Sequence, residues 1–374
     1  MKKIGKSIMA LLLILAMTIM AAACQSKEEP AGTDADQPEV TEGEPGTDTG
    51  QESEETGREA EETDKEAEET DQAPGQLEKI SFALDWTPNT NHSGLYLAAQ
   101  QGFYAEEGLE VEFQESDMNF IEMVATESAP FGIASQEQVL QARASSAQIP
   151  IVAVAAIIQH NTSGFASPVD RSIKSPADFE GMTYSGWGTE LELAFIETLM
   201  DKVNADYSKV EIINQSASNF IASMEMEADF AWIYWGWDGV NTELQDYPID
   251  FILLQDIDPR LDFYSPVIIT NETVINENPE LIERFLRATA KGYELAIEEP
   301  ELAVGAIMEA APELDAELLL ASQIWLNDKY IDDAVRWGEM DPEIWSSFKD
   351  WMLEHDTLES DPDTSQAFTN DYLP

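Results

Sequence analysis

The chain has 374 residues, 74 acidic against 19 basic, giving a formal charge of −55, and it carries one cysteine and three histidines. A chain this acidic excludes nucleic-acid binding through a basic face, and one cysteine excludes an intrachain disulfide or a Cys-based metal cluster. The hydrophobic fraction of 43% and nine tryptophans are ample for a packed core.

Residues 1–23 read as an export signal. Lys2, Lys3 and Lys6 form a basic start, Ile8 to Met20 is nearly all apolar, and Ala21 to Ala23 is a small-residue cleavage region. The apolar run of about 13 residues is shorter than the roughly 20 needed to span a bilayer. Cys24 follows at once. The order resembles a bacterial lipoprotein signal, although Ala21 stands where leucine is usual. That resemblance implies acylation of Cys24 and a lipid anchor in the bilayer.

Residues 24–76 read as a disordered acidic tether. Between Gln25 and Asp71 there are 19 acidic and 3 basic residues and no aromatic one, and the EAEETD segment ending at Asp64 recurs at Asp71. Such a stretch cannot bury enough apolar area to offset the entropy of ordering it. Like charges extend it further.

The folded part is expected from Leu77 onward, as α/β. Strands are predicted at Ile80–Leu84, Leu109–Phe113, Phe131–Ala134 and Ile151–Ile158. Helices are predicted at Gly94–Glu107, Asn119–Glu127 and Ser135–Ala144. After a break at Ser167-Pro168 a second set follows: strands at Met182–Tyr184, Val210–Ile213, Asp229–Trp235 and Phe251–Leu254, with helices at Glu190–Met200 and Asn219–Glu227. Phe263–Thr270 is strand-like, and the chain beyond Glu280 is mostly helical. The alternation argues largely parallel sheets flanked by helices. Two lobes are expected, residues 77–166 with 264–374 and residues 167–263, joined by crossings near Phe165 and Phe263. A cleft would lie between them, where the loops after the strands meet.

Several segments carry a family resemblance. Asp85-Trp86-Thr87-Pro88-Asn89-Thr90-Asn91-His92 follows the first strand, then Gly94-Leu95-Tyr96 and Gly102-Phe103-Tyr104. Further on come Phe131 to Gln138, Gln159 to Gly164, Gly186-Trp187-Gly188-Thr189 and Trp232 to Gly239. Together they are similar to the NMT1/THI5-like solute-binding family, over nearly all of Leu77 to Leu373, and most of all to its formylaminopyrimidine-binding branch. The resemblance implies a two-lobed periplasmic-binding-protein fold of type II with a helical C-terminal segment. It also implies an extracytoplasmic receptor that delivers a thiamine-pyrimidine precursor to an ABC permease, with no cofactor. Another small heterocycle or a sulfonate is the alternative ligand. A monomer is expected. Pyrimidine synthases share the fold, but Ala134 and Gln138 stand where their lysine and histidine would be, and Ser265 to Ile269 where their cysteines would lie. An exported enzyme is therefore the lesser reading.

Twelve residues are candidates for the ligand site, with Trp237 as an alternative to one of them. Trp86 is either a core tryptophan or an aromatic wall for a flat ring. Asn91 and His92 offer donors and acceptors, or cap a helix. Asp85, Glu137 and Glu192 supply carboxylates for ring amines, although Ser135-x-x-Gln138 and Thr189-x-x-Glu192 also fit capping boxes. Gly186 and Gly188 flank Trp187 in a turn that can bring backbone N–H groups to a ligand. Trp235, or Trp237 with Asp238 beside it, is the candidate after the Asp229–Trp235 strand. Tyr264 is expected to line the cleft or hinge at the second crossing. Trp325, Trp337, Trp345 and Trp351 read as packing. No metal site is expected.

Overall fold

A computed structural model describes residues 77–115, 119–214 and 219–374. The signal segment, Cys24 and the tether lie outside the described residues. Ten strands run in chain order: β1 (Glu78–Leu84), β2 (Leu109–Glu115), β3 (Phe131–Ala134), β4 (Ile151–Ala156), β5 (Ser163–Pro168), β6 (Thr183–Gly186), β7 (Glu211–Asn214), β8 (Phe230–Tyr234), β9 (Ile249–Leu253) and β10 (Val267–Asn271).

They form two five-stranded sheets, ordered β2-β1-β3-β10-β4 and β7-β6-β8-β5-β9, which makes the molecule two-lobed. Each sheet is parallel except for one strand. β10 runs antiparallel between β3 and β4, and β5 runs antiparallel between β8 and β9. The expected parallel sheets thus each hold one reversed strand. β5 occupies the segment read as a crossing and a break. Its sequence, SGFASP, lacks the run of branched side chains that marks a buried strand. Gly164 shows why small residues stand there: a Cβ would overlap the backbone of Ile252 on the neighbouring strand.

The first lobe packs around Phe285, whose ring stacks on Phe131 at 4.2 Å and Tyr104 at 5.3 Å. The second packs around Phe230, stacked on Phe179 at 4.3 Å and edge-on to Phe165 at 5.8 Å. Both clusters are fully buried. Phe165, expected beside a crossing, is therefore a core residue of β5. The predicted Gly94–Glu107 helix is two helices, Ser93–Gln100 and Phe103–Glu106, because Gly102 at φ 78° turns the chain left-handed between them.

The chain leaves the first sheet through residues 157–162 and returns through 254–266. The two crossings bond to each other. Asp262 accepts the Asn161 N–H at 2.8 Å and meets His160 Nδ1 at 2.7 Å, and Asn161 Nδ2 donates to the Leu261 carbonyl at 2.7 Å. The C-terminal helix Pro342–Glu354 lies against them, with Phe348 stacked on Phe263 at 4.4 Å and Trp351 on Phe195 at 5.1 Å. Trp337 stacks on Tyr293 and Trp345 on Phe368. Trp337, Trp345 and Trp351 are buried packing residues, and Trp325 is half-buried against the first-lobe core, in line with the packing expected of all four. Among the described residues no helix is long and apolar enough to cross a membrane.

Candidate functional site

The loops after β1, β3, β6 and β8 converge between the lobes. After β1, Asn89 caps the short turn Thr90–His92: its side chain accepts the Asn91 N–H at 2.9 Å, and His92 Nδ1 accepts the Asn89 N–H at 3.3 Å. That leaves His92 Nε2 to donate to Asp85 Oδ1, 3.0 Å away, a tautomer assigned by the bonding pattern. His92 is wholly buried with both nitrogens engaged, so it positions Asp85 rather than facing a ligand. The cap is Asn89, not Asn91. The Asn91 carbonyl accepts the Tyr293 hydroxyl at 2.6 Å.

Trp86 and Trp187 project from opposite lobes. They are 52% and 60% exposed, and their ring centroids lie 6.4 Å apart at 60°. Two large rings more than half exposed and packed on one another as a tilted pair are not core residues. Trp86 thus lies at the surface where the two lobes meet and not in the interior.

Glu137 sits in the first turn of the Gln136–Ala144 helix. Ser135 and Gln138 close the expected capping box, with the Ser135 N–H donating to Gln138 Oε1 at 3.0 Å. Glu137 itself is buried, and its Oε2 has no hydrogen-bond partner. Burial pushes its carboxyl up to about 7, against the lowering effect of Ser135.

Glu192 occupies the matching place in the second lobe. Thr189 caps the Glu190–Lys202 helix through the Glu192 N–H at 3.2 Å. The return arm of the expected box goes one residue further back: Glu192 Oε2 accepts the Gly188 N–H at 2.9 Å and the Tyr184 hydroxyl at 3.2 Å. Oε1 is buried without a partner. Glu192 is 1% exposed, and this burial raises its pKa. Gly186 and Gly188 make the turn possible. A Cβ on Gly186 would overlap the Tyr184 hydroxyl, and Gly188 takes φ +71° against Asn214.

Tyr234, the last residue of β8, was not among the candidates. Its hydroxyl meets Ser265 Oγ at 3.1 Å. Burial first, then the negative fields of Glu137, Asp85 and Glu192, raise its pKa. One phenol thus senses carboxylates from both lobes. The signal was available in the period-two alternation of β8, which puts Trp232 and Tyr234 on one face.

The same alternation removes Trp235. It points to the other face and packs edge-on against Phe251 at 4.9 Å. Asp238 is also corrected: its Oδ1 accepts the Phe220 N–H at 3.2 Å and so serves a helix start in its own lobe. Tyr264 is buried rather than lining the cleft. Its hydroxyl accepts the Asp341 N–H at 2.7 Å, and its backbone exchanges bonds with the Gln136 side chain and N–H at 2.9 Å. It braces the returning crossing between a helix and the C-terminal tail.

Among the described residues no lysine or arginine pairs with Asp85, Glu137 or Glu192; the one partner is His92 on Asp85. The cleft therefore offers carboxylate acceptors, a phenol and two open tryptophan faces. Such a set can accept N–H donors and offers no cationic partner to an anion. The described residues with metal-ligand spacing are His160, Asp332 and Asp333, whose ligand atoms lie within 4.8 Å of one another. His160 belongs to the first crossing, and Asp332 and Asp333 follow the Asn327–Lys329 turn in the C-terminal part. Gln138 and Ser265, at positions the synthase resemblance singled out, are occupied by the capping box and by Tyr234.

The chain is 28% identical over 308 residues to the formylaminopyrimidine-binding protein of Halalkalibacterium halodurans, covering 79% of this chain and 90% of that one. It is 25% identical to the riboflavin-binding protein RibY of Chloroflexus aurantiacus, covering 80% and 87%. Its fold is similar to that of the periplasmic aliphatic sulphonate binding protein SsuA of Escherichia coli, at a TM-score of 0.59 with 13% identity, over 77% of this chain and 91% of that one. The model of the NMT1/THI5 like family matches residues 89–303, more than half of the sequence, and the chain belongs to that family.

Proposed function

We propose that the protein is the extracytoplasmic receptor of an ABC importer, and that it captures a formylaminopyrimidine or hydroxymethylpyrimidine precursor of thiamine between its lobes and hands it to the permease. The observation that carries this reading is the pair of buried cleft carboxylates, Glu137 and Glu192, each with one oxygen lacking a partner and neither paired to a cation. An amine-bearing ring supplies the missing donors. Trp86 and Trp187 supply faces for it. A sulfonate or phosphate ester would lose its hydration with no cation opposite, at a cost of several kcal/mol. The homologue that binds formylaminopyrimidine supports the same class. The receptor acts as a monomer without cofactor and needs no nucleophile.

Cleavage after Ala23 and acylation of Cys24 would leave the acidic stretch to residue 76 as a spacer from the outer face of the cell membrane. Calorimetry with formylaminopyrimidine, hydroxymethylpyrimidine, its phosphate ester, riboflavin and an alkanesulfonate tests the ligand. Heat from the two unphosphorylated pyrimidines, with weaker binding of the ester and the sulfonate, is the expected result. Tight binding of the sulfonate with no heat from either pyrimidine would overturn the ligand while leaving the fold intact.

A further inference from the structure

The turn after β8 does more than end a strand. Residues Trp235–Gly239 form a π-type turn, a form frequent at functional sites. It reaches out of the second lobe onto helices fixed to the first. The Pro300–Ala310 helix packs Ala303 and Ala306 on Leu97 of the first lobe. The Ala316–Leu326 helix is tied to the same lobe, where Thr90 Oγ1 meets Ser322 Oγ at 2.7 Å and Ser93 bonds Gln323.

Against these helices the second lobe places two groups. The Gly236 carbonyl accepts the hydroxyl of Ser322, so Ser322, wholly buried, takes its other bond from Thr90. Trp237 packs with Val304, Ile307 and Leu319. The approach is close. A Cβ on Gly236 would stand 2.9 Å from Leu326. One serine thus joins both lobes through one oxygen, beside a tryptophan seated across the same boundary.

We propose that Ser322 and Trp237 form an interlobe clasp, positioning residues that hold the lobes together around the cleft and set how long a ligand stays. The inference rests on the cleft being the ligand site. Two crossings permit rotation of one lobe on the other. Rotation that opens the cleft draws the turn off the helix, exposes Trp237 and parts the Ser322 hydroxyl from the Gly236 carbonyl. Trp237, a ligand candidate by its place after β8, is seated instead against Val304, Ile307 and Leu319, and Ser322 is buried at the same boundary, so both act on affinity through the closed population. Apparent affinity falls in proportion to that fraction.

The test uses the full chain in a Cys24→Ser background, with spin labels at Thr87→Cys and Glu190→Cys, exposed positions beside Trp86 and Trp187 on opposite lobes. Ser322→Ala and Trp237→Leu are compared with Trp237→Phe. The two disruptive variants should shift the label distances to longer values in ligand-free protein. They should also weaken formylaminopyrimidine binding by about tenfold, through faster release, while Trp237→Phe stays near the parent. Folded variants with lower melting temperature but unchanged distances and release rate would overturn the clasp. Should Trp237→Leu fail to fold, Ser322→Ala, which removes one oxygen, decides. Longer distances in a protein that binds none of the pyrimidines would sustain the clasp and remove the ligand reading instead.

Discussion

Replacing Glu192 by glutamine removes one acceptor from the cleft and almost nothing else. In the parent, Oε2 is held by the Gly188 N–H at 2.9 Å and the Tyr184 hydroxyl at 3.2 Å, and Oε1 is buried and free. The amide must keep its oxygen on the Gly188 side, because an NH2 there would face a donor. The NH2 then takes the place of Oε1. A ring amine that donated to Oε1 now meets another donor in a buried site. Leaving a buried polar group unsatisfied costs about 1–3 kcal/mol, which is about 5- to 150-fold in Kd. Stability should move the other way. Burial holds the folded pKa of Glu192 above its ordinary value. Its contribution is thus present at low pH and lost as pH rises through the folded pKa. Once pH has passed the folded pKa, the glutamine variant should melt no lower than the parent. Calorimetry with formylaminopyrimidine and a thermal melt on the same sample give both numbers. A folded variant whose Kd stays within about twofold of the parent would refute the assignment of Oε1 to the ligand.

Trp86→Ala should weaken binding by about 1–3 kcal/mol, combining lost stacking with lost area, and Trp187→Ala should do the same; additive losses in the double variant would show that the rings do not grip one ligand together. The Glu137 carboxyl, raised to about 7, contributes stability that is full below its ordinary pKa and lost as pH climbs through 7. Glu137→Gln should therefore flatten the melting profile across that interval, and an unchanged slope would count against its burial. His160 is raised to about 9, chiefly by its bond to Asp262. It stabilises the paired crossings below its ordinary pKa, and that contribution disappears as pH rises through 9, so His160→Gln should abolish a loss of stability seen in the parent between about pH 6.5 and 9. Cys24→Ser should release the protein from membranes into the medium, and a variant that stays membrane-bound would refute the anchor.

What could be read from the sequence was local. Ser135 and Gln138 sit three residues apart, so their box was visible as a spacing. Glu192 was picked correctly as a helix-start carboxylate, but its bond to Gly188 rather than Thr189 depends on the left-handed turn at Gly188. The distant pairings were not legible. Tyr264 looked like a cleft residue by its position at a crossing, yet its neighbours Gln136 and Asp341 lie 128 and 77 residues away. β5 was invisible because its burial comes from two neighbouring strands and not from its own side chains. Three tryptophans surround Tyr234 in sequence, and only the register of β8 decides which ring faces the other lobe.

The place of β10 in the first sheet has a consequence for the order in which the chain can assemble. β4 is bonded into that sheet only through β10, and β10 also covers the free edge of β3. A chain emerging from its N-terminus presents β1 to β4 early, with two edges open, and must wait for Val267 to close them. The second sheet has no such gap, since β5 to β9 are contiguous in sequence. It can form first. Bringing β4 and β10 together across roughly 110 residues of loose chain would cost about 4 kcal/mol in loop closure. A folded second lobe removes most of that cost, because its two crossings leave it side by side. The inserted lobe thereby acts as an internal template that holds the last strand at the gap it must fill, and a chain truncated before β10 should keep its second lobe while the first stays open and prone to edge-to-edge association.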